Sequence, residues 1–442
     1  MLNRPWLLAA SNPNSFSHFQ PQYDRQVECR APAGYHAHTM NAPAPKQQDF
    51  SSVGYDEAIE RARALIPFLR TQGAENDKAT KMVPAVVNAL HENGLFRYIQ
   101  PKAWGGMELD FIAYFDIPEM LGRGDASTAW AVANLASHHR GLALWPKAAQ
   151  EEIWGANPDM LIASGIAFMQ GTGRKVDGGI ELSGKWGFSS GVDHSGWEQL
   201  ACIIKDSDGK PLDWMMCQVP RPQFEVIDDW QTLGMRGTGS RTVTCNKVFV
   251  PAHRAISMHV ANPAHEYPGL KIHTNSMFKV PTASLGGHCI AGAMTGNAQA
   301  MLDLATGMVR QRSTNYTGAK MRDFQTVQLR IGMAGAKIDA VRTWLRNDCI
   351  EAHNVYRGGG KLDIETKLRY KRNCAMGMKL LTEAVDTLYE MAGAAGIYDT
   401  SALQRIYRDQ HAAGGHFSFS TDAQLTPWAQ VSLGGEFKSP TL

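Results

Sequence analysis

Leu233-Gly234-Met235-Arg236-Gly237-Thr238-Gly239-Ser240, running into a Thr- and Val-rich stretch over 242–250 and stopped by Pro251, is the segment on which the fold of this chain turns. Glycine recurs too often for a regular helix, and the branched run that follows suits a pleated strand. Two more runs of the same texture, 200–204 and 214–219, are set off by Gly, Asp and Pro. Residues 161–270 are therefore predicted to form a small β domain of short strands and tight turns.

Outward from it, both flanks change to helical periodicity. On the N-terminal side Ile59, Ala62, Leu65, Ile66 and Leu69 recur at three and four, and Pro84, Val86, Val87 and Leu90 run to Gly94 with Pro in the first turn and Gly past the end. Helices are also predicted over 111–121 and, after Asp125 as N-cap, over 126–144, making 51–160 a helical domain. On the C-terminal side the pattern over 285–310, 324–356, 364–391 and 402–412 predicts an antiparallel four-helix bundle within 271–442. Gly286, Gly287, Ala291, Gly292, Ala293, Gly296 and Ala298 give the first of these an unusually small face, suited equally to oligomer packing and to close packing within one chain. Residues 1–50 lack apolar periodicity and read as an irregular or disordered extension, with Met40 a candidate start.

Composition narrows the class. The 442 residues are 44% hydrophobic, enough for two or three packed units, and 44 basic against 42 acidic side chains leave no charge that calls for nucleic acid or a membrane surface. A small-molecule partner is expected. Seven cysteines without a C-x-x-C pair fit reduced thiols and a cytoplasmic location, and no window approaches the ~20 apolar residues of a membrane span.

Helical domain, small β domain and C-terminal bundle, in that order, is the layout of the acyl-CoA dehydrogenase superfamily. Lys102-Ala103-Trp104-Gly105-Gly106 resembles its P-x-x-x-G-G turn, and the 233–240 segment leading to Val248-Phe249-Val250-Pro251 resembles its LGMRGS…VFVP segment. Arg312, Tyr316, Gly318 and Phe324-Gln325 look like a stretched form of the R-x-x-F-G…F-Q flavin-phosphate region, leaving both Arg310 and Arg312 as candidates. The resemblance implies a mainly α fold with a central β-barrel domain. Dehydrogenases of this fold commonly take their catalytic glutamate from just beyond an Arg-Asp pair in the last helix. Here Arg408-Asp409 is followed by His416 and Phe417 instead.

The chain is similar to the branch of two-component, reduced-flavin-dependent monooxygenases that includes the oxygenase of p-hydroxyphenylacetate 3-hydroxylase and the secosteroid phenol hydroxylase. His138 in Ser-His-His-Arg-Gly, Ser164 in Ile-Ala-Ser-Gly, Trp186-Gly187-Phe188-Ser189-Ser190-Gly191, His416, and the ending Ser439-Pro440-Thr441-Leu442 carry that similarity. It implies a homotetrameric oxygenase component using reduced FMN ahead of reduced FAD, with O2 as co-substrate. The reaction implied runs through a C4a-hydroperoxyflavin and hydroxylates a small phenol ortho to its hydroxyl. S- or N-oxygenation of a heteroaromatic and acyl-CoA dehydrogenation are the alternatives.

By the same resemblance Trp130, Ser189 and Ser190 border the isoalloxazine, with Ser189 preferred near N5. His138 and Ser164 face the substrate hydroxyl, His416 lies near C4a with His411 as its competitor, and Arg310 or Arg312 meets the flavin phosphate, across a subunit interface where one is formed. Read without it, the two serines are turn formers and His138, beside His139, is a surface or core histidine. No metal is expected, since neither carboxylate nor cysteine completes a ligand set around His411 and His416. No G-x-G-x-x-G joins a strand to a helix, so a separate NAD(P)H:flavin reductase is expected to supply the reduced flavin.

Overall fold

A computed structural model describes residues 48–206, 208–258 and 266–437 of the chain. The candidate start at Met40, nearly all of the 1–50 stretch and the ending Ser439–Leu442 lie outside these residues. Phe50, at the beginning of the described part, is buried in the core, with the guanidinium of Arg97 over its ring at 5.4 Å.

The N-terminal helices are α1 (Tyr55–Ala79), α2 (Pro84–Glu92), α3 (Ala113–Gly122), α4 (Ala126–Leu142) and α5 (Lys147–Ile153). Pro84 occupies the first turn of α2, and Gly94 at φ +68° reverses the chain after it. Asp125 caps α4, its carboxylate accepting from the Thr128 amide at 3.0 Å. Helix α5, only seven residues long, is too short to show a period and was not among the predicted elements.

The central sheet holds β1 (Ile162–Gly165), β2 (Gly171–Val176), β3 (Gly179–Ser189), β4 (Trp197–Lys205), β5 (Pro211–Pro220), β6 (Glu225–Ile227), β7 (Arg241–Pro251) and β8 (Ala255–Ser257). Their order is β6-β7-β3-β2-β4-β5-β8, with β1 added in parallel to β4, so the expected barrel is an open one among the described strands. Near its end β3 breaks register against β7 between Trp186 and Ser189, and Phe188 adopts φ +65°. Such a bulge re-aims the side chains beyond it.

The C-terminal part contains α6 (Thr282–Gln311), α7 (Gln325–Arg357), α8 (Ile364–Tyr389), α9 (Ala402–Gly414) and an additional α10 (Thr421–Ser432). Helix α10 is tied to α8 by Arg372, whose guanidinium lies 4.1 Å from the Trp428 ring centre. The small face of α6 is used within the chain. A Cβ at Gly292 would stand 2.4 Å from the Phe115 carbonyl oxygen, and one at Gly296 would stand 2.1 Å from that of Glu119. Helix α3 thus approaches α6 backbone to backbone, so at Gly292 and Gly296 the small face serves packing within the chain. No described helix is long and apolar enough to cross a membrane, and the six described cysteines are free and buried.

Candidate active site

Helix α4 is buried almost all round, yet Asn134, Ser137 and Gly141 are partly open. With Trp130 and His138 these positions follow the 3.6-residue period, so they form one stripe along an otherwise enclosed helix. Its polar groups are satisfied locally: Asn134 Nδ2 donates to the Trp130 carbonyl oxygen at 2.9 Å and Ser137 Oγ to that of Asn134 at 2.7 Å, while Trp130 and His138 hold partners at neighbouring strands.

At one end of the stripe Trp130 meets His416 and Phe419 edge-on, at ring separations of 5.5 and 6.2 Å. The indole Nε1 donates to Ser190 Oγ at 3.3 Å. Ser190 reaches α4 because Gly191, at φ +78°, lets the end of β3 close on it; a Cβ there would lie 2.8 Å from Leu135 Cδ1. The two adjacent serines are divided by the strand. Ser189 is fully buried and donates to Glu198 Oε1, a carboxyl that burial pushes up to about 8. Ser189 is thus turned to Glu198, and Ser190 is the serine that shares a wall with Trp130.

About two helical turns along α4, roughly 12 Å at 1.5 Å per residue, stands His138. Its Nδ1 lies 2.7 Å from the Ile162 carbonyl oxygen. A carbonyl only accepts, so Nδ1 carries the proton and Nε2 keeps its lone pair. Burial pushes this imidazole down to about 4, against the opposing pull of the Ile162 carbonyl, so it is neutral at pH 7. Ser164 sits two residues beyond Ile162 on β1, on the same face of the strand, and is partly open. His139, next in sequence, is the core histidine: its Nδ1 accepts from Trp154 Nε1 at 3.0 Å.

His416 has the opposite tautomer. Its Nδ1 accepts the Ser418 amide at 3.1 Å, which places the proton of the neutral ring on Nε2, and burial again pushes it down to about 4. His411 is held elsewhere, 2.7 Å from Asp386 Oδ1. Phe417 stands 68% exposed, and the neighbouring Asp409 faces away, accepting the Met235 amide.

The two arginines also separate. Arg312 closes α6 and is spent on the carbonyls of Ala392, at 2.7 Å, and Met391, at 3.3 Å. Arg310 is exposed, without a hydrogen-bond partner among the described residues.

Sequence reasoning gave no role to Ser240, Thr238, Asn134 or Phe419. Ser190 Oγ lies 2.8 Å from Ser240 Oγ, which lies 2.6 Å from Thr238 Oγ1. Both partners belong to the glycine-rich 233–240 segment, and their position there was the available signal.

Residues 62–155 match the family described as acyl-CoA dehydrogenase, N-terminal domain, and residues 288–421 match acyl-CoA dehydrogenase, C-terminal domain. The chain is 32% identical over 360 residues to the flavin-dependent monooxygenase, oxygenase subunit HsaA, of Rhodococcus jostii, covering 81% of this chain and 93% of that one. To the FADH(2)-dependent resorcinol hydroxylase, oxygenase component, of a Rhizobium species it is 29% identical over 407 residues, covering 90% and 98%. The crystal structure of 3-HSA hydroxylase from Rhodococcus sp. RHA1 superposes with a TM-score of 0.82 at 30% identity, over 87% of this chain and 99% of that one. Fold and kinship agree: the chain belongs to the acyl-CoA dehydrogenase superfamily, in the branch formed by the oxygenase components of flavin-dependent monooxygenases.

Proposed function

We propose that this chain is the oxygenase of a two-component system that inserts one oxygen atom into a small phenol, ortho to its hydroxyl. A separate NAD(P)H:flavin reductase would deliver reduced FMN or reduced FAD. The observation that carries the reading is the pair of neutral histidines in opposite tautomers, an acceptor at His138 and a donor at His416, at the two ends of one open stripe. Environments that fix two titratable groups in complementary states are how one site holds an acid and a base together.

The donor set fits an isoalloxazine. Trp130 offers an aromatic wall, Ser190 a hydroxyl oxygen and His416 an Nε2–H without a partner among the described residues, and all three meet at one end of α4. Bound reduced flavin would supply two electrons and activate O2 as an oxygen donor, one atom entering the ring and the other leaving as water. His138 Nε2 accepts the phenolic proton and so raises electron density at the ortho carbon. Ser164, beside it on β1, holds the substrate oxygen. His416 keeps a proton at Nε2 at the flavin end. The enclosed walls of α4 limit water around both.

Arg310 is the better candidate for the flavin phosphate, since Arg312 is committed to main-chain carbonyls. A homotetramer is supported by α7, where Leu329, Met333, Trp344 and Ile350 are exposed. Surface of that kind on a long helix suits packing against further copies.

The test mixes the protein anaerobically with reduced flavin and a phenol panel, then adds 18O2. A catechol carrying one 18O, dependent on the protein, supports the reading. Oxidised flavin and hydrogen peroxide as sole products with every phenol would overturn it.

A further inference from the structure

Four side chains form a continuous hydrogen-bonded line whose direction is fully determined. Trp130 Nε1 can only donate, and it donates to Ser190 Oγ at 3.3 Å. At the far end Thr238 Oγ1 donates to the Met235 carbonyl oxygen at 2.8 Å, and a carbonyl can only accept. The Thr238 proton is therefore spent, so the 2.6 Å contact between Thr238 and Ser240 must be donated by Ser240. The Ser240 proton is then spent as well, and the 2.8 Å contact between Ser240 and Ser190 must be donated by Ser190. Ser190, Ser240 and Thr238 are all buried, which keeps bulk water from reorienting them.

The terminus of the line is itself held firmly. Met235 adopts φ +55°, uncommon outside glycine, and its amide donates to Asp409 Oδ1 at 2.6 Å. Its carbonyl oxygen also accepts from Trp230 Nε1 at 3.1 Å.

We propose that Ser240 and Thr238 preset Ser190 as a hydrogen-bond acceptor and thereby make the site select reduced over oxidised flavin. This rests on the reading that flavin lies against Trp130 and Ser190. The proton of Ser190 is committed to Ser240 and one lone pair to Trp130, so what remains on Oγ is a single lone pair. Reduced flavin carries a hydrogen on N5 and can donate to that lone pair. Oxidised flavin presents a lone pair at N5, and two facing acceptors leave both unsatisfied, a penalty equivalent to about ten-fold or more in affinity. Ser240 and Thr238 act through Ser190 and are positioning residues.

The experiment measures dissociation constants of the full chain for oxidised FMN in air and for dithionite-reduced FMN under nitrogen, without substrate. Wild type is expected to favour the reduced form. In Ser240→Ala the Ser190 proton loses its acceptor and becomes free to donate to oxidised N5, so the preference for reduced FMN should fall about ten-fold, chiefly through tighter oxidised binding. Ser240→Thr keeps a hydroxyl and should keep the preference. Thr238→Val frees the Ser240 proton one step further away and should lower the preference less, which gives a second reading should Ser240→Ala fail to fold. A merely structural role would weaken both forms in proportion, and an unchanged ratio in the two variants overturns the proposal. Wild type binding neither form would overturn the flavin placement itself, an outcome distinct from binding without selectivity.

Discussion

The amide of Met235 donates to the carboxylate of Asp409 at 2.6 Å across 174 residues of sequence. The contact joins the glycine-rich segment of the β domain to α9, and Arg408 reinforces it by donating to the Leu233 carbonyl oxygen at 2.8 Å. Gly234 permits the approach, since a Cβ there would lie 2.3 Å from the Arg408 carbonyl oxygen. An Arg-Asp pair that in the dehydrogenases stands ahead of a catalytic carboxylate serves here to pin the segment carrying Thr238 and Ser240.

Asp409 gives this junction a pH dependence. Burial, with Asp125 and Asp77 nearby, pushes its carboxyl up to about 7 from an ordinary value of 3.8, against the Met235 amide and Arg405, which favour the charged form. A group raised in the folded state contributes stability that is present below its unfolded value and is lost as pH rises through the folded one. Between pH 5 and pH 8 the wild-type Tm should therefore lose a component that Asp409→Asn retains, because the amide oxygen still accepts from Met235 without ionising. Thermal melts of both proteins at the two pH values test this, and parallel curves would count against it. Asp409→Ala leaves the Met235 amide unpaired and should cost roughly 1–3 kcal/mol at any pH.

His138→Ala should lower ring hydroxylation by ~10²–10⁴-fold, the usual range for a lost general base, while hydrogen peroxide release rises. In wild type the acidic limb of the rate profile should lie low, because burial holds this imidazole at about 4. From pH 5.5 to 7.5 hydroxylation should therefore show no titration belonging to His138. A limb near pH 6.5 that disappears in His138→Ala would mean that burial does not hold this ring neutral.

How much of this was legible in the sequence depends on how far each fact reaches along the chain. The long helices, the Asp125 cap and the β texture of the centre are local, set by periodicity and turn chemistry, and were readable. The choice of His138 over His139 came from the family resemblance and not from local pattern, because what separates them is the Ile162 carbonyl, 24 residues from the first, and the Trp154 indole, 15 from the second. Ser189 and Ser190 were read as a pair, and the bulge at Phe188 with alternation along the strand sends them in opposite directions. The hydroxyl line spans 60 residues at its Trp130–Ser190 link and 50 at Ser190–Ser240. Nothing local marks contacts of that range, although each residue stands inside a motif that the sequence did display.

Two glycines of α6 make a matched pair for measuring backbone approach. At Gly292 a side chain would meet the Phe115 carbonyl, whereas at Gly286 a Cβ would find nothing within 4 Å. Gly292→Val should destabilise by about 1–3 kcal/mol or more, since overpacking against main chain cannot be relieved by a rotamer change. Gly286→Ala should be neutral or raise stability by about 0.5–1 kcal/mol through lower backbone entropy in the unfolded chain. Differential scanning calorimetry on the two variants decides the matter, and equal shifts would remove the argument that α3 and α6 are in backbone contact.

Helix α7 should govern assembly. Ala334, Ile338, Val341 and Leu345 are buried in the bundle, while Leu329, Met333, Trp344 and Ile350 lie exposed along the same helix. Exposed apolar side chains gain by burial against another surface, at about 25 cal/mol per Å². Leu329→Glu combined with Trp344→Glu places charges at two of these exposed positions. Light scattering should then report a species smaller than wild type, while far-UV circular dichroism stays unchanged. If Arg310 of one copy serves a neighbour's flavin, reduced-flavin affinity should fall in the same double variant. An unchanged affinity in the dissociated protein would confine the whole flavin site to a single chain.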